Sequence, residues 1–177
     1  MNALTIDTGN PLANSGTLEA TGGGKLIVDD NVSGGKTSIA SASTVEFAGT
    51  LNNSAVSFQN NGGIDTGVFV LDHAATPDAA HGFHGTIAGF KYDLTHSDTL
   101  DLKDIKFGGS ETWSFTENST GKAGVLTVND GLGDIATLNL QGHFLTANQS
   151  ATSASSTLFA LALDSGTGTS VTTSHHV

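Results

Sequence analysis

Apolar residues along this chain come in short runs that alternate with polar ones. Leu26-Ile27-Val28, Val45-Glu46-Phe47, Val56-Ser57-Phe58, Val68-Phe69-Val70-Leu71, Leu100-Asp101-Leu102, Trp113-Ser114-Phe115, Val125-Leu126-Thr127-Val128, Leu138-Asn139-Leu140 and Leu158-Phe159-Ala160-Leu161 are mostly bounded by Gly, Asn, Asp or Ser. Successive side chains of a strand point to opposite faces, so this period of two predicts half-buried β-strands throughout. No window carries apolar residues at helical spacing together with caps, and the Gly and β-branched content weakens any helix. A turn or two of helix around 74–80 is the most the pattern allows.

The turn residues narrow the architecture. Gly22-Gly23-Gly24, Asn52-Asn53 and Asn60-Asn61-Gly62-Gly63 suit tight corners that need positive φ. A weak internal repeat joins Thr17-Leu18-Glu19-Ala20 to Thr44-Val45-Glu46-Phe47. Short strands, tight corners and a repeat predict a right-handed parallel β-helix, a β-solenoid, over residues 1–107, with a β-sandwich as the alternative. Aromatics make up only 6% of the chain, which fits a thin aliphatic interior. From 108 to 164 the strands lengthen and are separated by Asn118-Ser119-Thr120-Gly121 and Asp130-Gly131-Leu132-Gly133, the pattern of an antiparallel meander. Such a layer caps the solenoid, whose open end would otherwise expose unpaired backbone. The Gly-, Thr- and Ser-rich stretch 165–177, which includes His175-His176, reads as a loosely held tail.

Charge and composition exclude several functions. The chain has 177 residues, 17 carboxylates, 6 lysines and no arginine or cysteine, for a net charge of −11. That balance disfavours nucleic acid and anionic membranes. Without arginine the chain lacks the planar donor that grips phosphate or carboxylate ligands. Cysteine chemistry is absent. No stretch approaches the ~20 apolar residues of a membrane-spanning helix, so no membrane insertion is expected.

Three groups of residues carry candidate chemistry. Asp93, Asp98, Asp101 and Asp104 form the densest carboxylate cluster, and calcium takes six to eight oxygen ligands of this kind. Alternation opposes a single site on one strand: Asp98 and Asp104 share a face with Leu100 and Leu102, whereas Asp101 faces the other way. Outward polar positions, with Asp98 capping a turn, are the competing reading. His73, His81, His84 and His96 gather in the middle of the chain, but Gly82 argues against the helical turn that would let His81 and His84 share a metal. Tyr92 and Trp113, the sole members of their types, are the candidates for stacking on a sugar ring, although Trp113 shares its phase with Phe115 as core residues do. Asp29-Asp30 is the sole adjacent acidic pair and its members face opposite ways, and no Gly-x-Ser-x-Gly elbow occurs. No enzymatic activity is expected.

Two segments carry a family resemblance. Gly85-Thr86-Ile87-Ala88-Gly89-Phe90 with Asp98-Thr99-Leu100-Asp101-Leu102-Lys103-Asp104-Ile105 resembles the region that trails the glycine-rich repeats of hemolysin-type (RTX-like) secreted proteins. Asn14-Ser15-Gly16-Thr17-Leu18-Glu19-Ala20 and Gly24-Lys25-Leu26-Ile27-Val28 are similar to repeats of bacterial adhesin-like or autotransporter-like exoproteins. The resemblance implies a β-helical or β-roll fold, export by a type I system and a secreted or cell-surface location. The calcium nonapeptide of the hemolysin-type repeats is absent: Gly22-Gly23-Gly24 runs into Lys25-Leu26 with no Asp in place. The expected function is therefore a non-catalytic adhesin-like module that presents Thr- and Asn-rich faces to a partner surface. The alternative is a carbohydrate-binding module, with or without calcium, whose partner is a polysaccharide or cell-surface glycan.

Overall fold

The computed structural model describes residues 2–59, 66–76, 83–92 and 96–174. The chain is all-β: among these residues there are strands, bridges, turns and bends and no helix. In chain order the strands are β1 (Ala3–Ile6), β2 (Leu12–Ala13), β3 (Thr17–Ala20), β4 (Lys25–Val28), β5 (Val32–Ser33), β6 (Lys36–Ala40), β7 (Thr44–Phe47), β8 (Leu51–Gln59) and β9 (Val68–Leu71). They continue as β10 (Ala75–Thr76), β11 (Phe83–Ala88), β12 (Thr99–Lys106), β13 (Thr112–Glu117), β14 (Ala123–Asn129), β15 (Ile135–Gln141), β16 (Ser150–Thr152), β17 (Phe159–Leu163) and β18 (Gly168–Thr173).

These strands form two sheets. A seven-stranded sheet runs β1-β4-β7-β9-β12-β18-β17, and an eleven-stranded sheet runs β16-β13-β14-β15-β11-β8-β5-β2, with β6 and β3 continuing beside β8 and β10 beside β15. Both are mixed. The ladders from β1 to β12 and from β3 to β11 are parallel. Strands β13 to β16 pair antiparallel, as do β12, β18 and β17. The chain expected to hold a parallel β-solenoid over 1–107 and an antiparallel layer over 108–164 forms two mixed sheets, with parallel ladders among the strands up to β12 and antiparallel pairing among β13 to β16. The reason lies in the connections: two-way neighbours such as β13 and β14 are joined by a tight turn, which allows only antiparallel pairing.

The turns show their chemistry directly. Gly22 and Gly23, between β3 and β4, have φ of 63° and 76°, a region glycine enters without steric cost. Asn118 Oδ1 accepts bonds from the Thr120 and Lys122 amides, and Asp130 Oδ1 from the amides of Leu132, Gly133 and Asp134. Asn52, expected at a corner, lies inside β8 instead. Its ladder partners Ser33 and His84 hold it extended, and the neighbouring coil turns at Gly34-Gly35. The expected Asn60–Gly63 corner lies outside the described residues. Of the helical turn expected around 74–80, Ala75 and Thr76 form β10 and 77–80 lie outside the description.

Both sheets bury their inner faces in one core. Leu26, Val45, Phe69 and Leu100 stand side by side across β4, β7, β9 and β12, all essentially buried. The interior is not the thin aliphatic one expected. Phe47, Phe69 and Phe83 form one edge-to-face series, and Phe159 of β17 packs against Phe90, Trp113, Phe115 and Phe144. Few aromatics are present, but eight of the nine phenylalanines are in this core, so the small percentage concealed where they go. The tail expectation is also corrected for 168–173. Strand β18 sits between β12 and β17, with Val171 fully buried, because the apolar phase of Val171 outweighs the loose composition around it.

Candidate functional site

The predicted aspartates are not brought together. Asp98 is buried, and its Oδ1 accepts the Gly67 amide at 2.9 Å and its Oδ2 the Lys91 amide at 3.4 Å. Asp104 accepts the Ala74 and Ala75 amides, one on each oxygen, both at 2.9 Å. Both carboxylates therefore serve backbone groups of neighbouring segments, a structural use that satisfies otherwise unpaired amides. Asp93 lies outside the described residues. Among the described residues no three His, Asp or Glu side chains are placed to hold a metal ion.

Asp101 has a different environment, on the outer face of the seven-stranded sheet. Lys103 Nζ lies 3.4 Å from Asp101 Oδ2 and 3.4 Å from Asp164 Oδ2. Burial, together with the neighbouring Asp164, pushes the Asp101 carboxyl up to about 6 against the pull of Lys103. Burial also opposes the charge of Asp164, but the Gly166 amide, Lys103 and the Gly168 amide outweigh it and hold that group below the ordinary carboxylate range. Asp72, raised by burial and by Glu46, and the Lys25–Glu46 pair extend this charged strip across the sheet.

The aromatic candidates are placed differently from a sugar platform. Trp113 is 4% exposed and meets Phe159 edge-on at 5.2 Å, so its rings belong to the core and stacking on a sugar is corrected to packing. Its alternation with Phe115 is the signal that decides this. Tyr92 is half-buried and bridges to Ser97. His84 is exposed on β11, His73 and His96 are exposed in other segments, and His81 and His175-His176 lie outside the described residues.

The feature that the sequence reading did not assemble is the outer face of the eleven-stranded sheet. Register places Thr86, Asn139, Val125, Thr116 and Ser150 in one row across β11, β15, β14, β13 and β16. A second row holds Thr137, Thr127, Ser114 and Thr152 across β15, β14, β13 and β16. Neighbouring strands are ~4.8 Å apart and alternate residues ~6.8 Å apart, so these side chains form a two-dimensional array of mostly hydroxyls. The hydroxyls of Thr86, Ser114, Thr127 and Thr137 make no hydrogen bond among the described residues, whereas Thr116 and Ser150 bond each other at 3.0 Å. Both rows are free of charge in a chain of net charge −11. The S-x-T pattern of Ser114-Phe115-Thr116 and Ser150-Ala151-Thr152 is visible in the sequence, but pairing order is needed to align it with Thr127 and Thr137.

Comparison with protein-family models, with curated proteins and with solved structures returns no match.

Proposed function

We propose that this chain is a non-catalytic, adhesin-like binding module of a secreted or cell-surface protein. One observation carries the reading: the uncharged hydroxyl array on the outer face of the eleven-stranded sheet. A flat array of donors and acceptors on a rigid pleat contacts a polar surface at many points, each weak, and gains strength by their number. We read the parallel ladders as coils of a short right-handed β-solenoid, on the strength of the stacked Leu26, Val45, Phe69 and Leu100, with the antiparallel strands β13 to β16 as a broad terminal face. The expected partner is a polysaccharide or cell-surface glycan, whose hydroxyls match the array in kind.

The test is retention of the chain on insoluble cellulose, chitin and xylan and on intact bacterial cells. Retention on at least one of these is expected, and Ser114→Glu with Thr127→Glu, which puts charge at the centre of the array, is expected to reduce it at least tenfold while the melting temperature holds. Retention on none, or equal retention by the charged variant, would overturn the reading.

A further inference from the structure

Within the hydroxyl face the geometry points to a binding site for a neutral sugar in the seam between β11 and β15; this inference rests on the glycan-binding reading above and assigns it a place. The seam has a topological origin. Strand β15 pairs with β11 only from Asn139 to Gln141 and with β10 at Ile135 and Ala136. Phe83 and His84 therefore have ladder partners in β8 but none in β15, Gly85 stands at a shift in the β8 register, and the sheet opens on that side.

The opening is a depression of about 610 Å³ lined by Ser54, Ala55, His84, Thr86, Thr137 and Asn139 among others. That size is within the range of small-molecule sites. A second depression of about 270 Å³ shares Thr86 and Asn139 and extends along the face to Ala123, Val125 and Gln141. Together they make a trough through which a chain of sugar rings passes from one hollow to the next.

The lining selects the ligand class. Neither depression has an acidic side chain, a lysine or an arginine in its wall, so an anionic or cationic ligand finds no counter-charge. The polar groups are hydroxyls, amides and one imidazole, which both donate and accept as sugar hydroxyls do. Val125, 39% exposed, and Ala55 offer the apolar surface that the C–H face of a pyranose covers. The Asn139 amide is held by its bond to the Gly85 carbonyl at 3.3 Å, which fixes one wall. Gly85 is required there: a Cβ would stand 2.3 Å from the Ser54 carbonyl oxygen, so only glycine lets β11 lie this close to β8.

Calorimetric titration of the intact chain tests this with cello-, malto-, xylo-, manno- and galacto-hexaose and, as the charged control, hexagalacturonate. Binding of at least one neutral hexasaccharide with a dissociation constant on the order of 0.1–1 mM is expected. His84→Ala and Thr137→Val should each weaken it five- to tenfold with unchanged melting, and Thr127→Val, on the same face but outside the trough, should leave it intact. Binding that ignores His84→Ala and Thr137→Val, a preference for the galacturonate, or no binding of any neutral sugar overturns the site. Retention on insoluble polysaccharide or cells, lost on placing charge at Ser114 and Thr127, would survive any of these results, so the failure of the trough is distinguishable from failure of the hydroxyl face.

Discussion

The outer faces of the two sheets are built on the same pleat and carry opposite contents. On the seven-stranded sheet, Lys25, Glu46, Asp72, Asp101, Lys103 and Asp164 are drawn into mutual ion pairs and raised or lowered carboxyls. On the eleven-stranded sheet, Thr86, Ser114, Thr127 and Thr137 make no internal hydrogen bonds among the described residues. Side chains of the first face answer one another, so their charge states bear on stability. Those of the second leave their bonding capacity outward. The difference teaches that polar residues at equivalent pleat positions are either internal struts or contact groups, and that their partners, not their polarity, tell which.

Three measurements probe that contrast. Lys103→Met should have the largest effect, because Asp101 and Asp164 then face each other without a cation. A loss of about 2 kcal/mol at pH 7 is expected in urea denaturation, below the usual cost of breaking a fully buried pair because Lys103 keeps about a third of its side-chain exposure. The loss should shrink at pH 5, where Asp101 takes up a proton; equal losses at both pH values would refute the arrangement.

Next comes the pH dependence of the unaltered protein. The folded Asp101 carboxyl titrates at about 6, above its ordinary 3.8, so the folded chain holds that proton more tightly than the unfolded chain. Its contribution to stability is greatest below about pH 4 and is lost as pH rises through 6. Asp72, also raised, acts in the same direction. Melting between pH 4.5 and 7.5 should show stability falling by an amount on the order of 1 kcal/mol, discounted for solvent screening, and Asp101→Asn should flatten most of the slope. A wild-type profile that rises over this interval would contradict the assignment.

The smallest change is expected on the other sheet. Thr127→Val and Ser114→Ala, singly, should alter unfolding free energy by less than about 0.5 kcal/mol, as exposed substitutions without internal partners do. A loss above 1 kcal/mol by chemical denaturation would show that these hydroxyls are struts after all.

Different parts of the structure were legible to different degrees. Strands β13, β14 and β15 alternate strictly, and the Asn118 and Asp130 turns carry the side chains that cap them, so local rules suffice there. Asp98 and Asp104 cluster in sequence, but besides the nearby Lys91 amide that Asp98 accepts, their partners are the amides of Gly67, Ala74 and Ala75, some 30 residues upstream. Alternation around Trp113 already pointed inward, and its aromatic chemistry drew attention outward. The hydroxyl rows were the least visible part. Thr86, Asn139, Val125 and Thr116 become neighbours only through a pairing order that mixes parallel and antiparallel ladders, and no short window contains that order.

The insertion of β18 between β12 and β17 has a kinetic consequence. Strand β18, the last among the described residues, fills an interior position of the seven-stranded sheet, so a nascent chain emerging from the ribosome cannot join β12 to β17 until residues 168–173 have appeared. Until then β12 has one unpaired edge and the core around Val171 stays open to solvent. Such late, non-local closure slows folding and lengthens the time for which unpaired strand edges stay exposed.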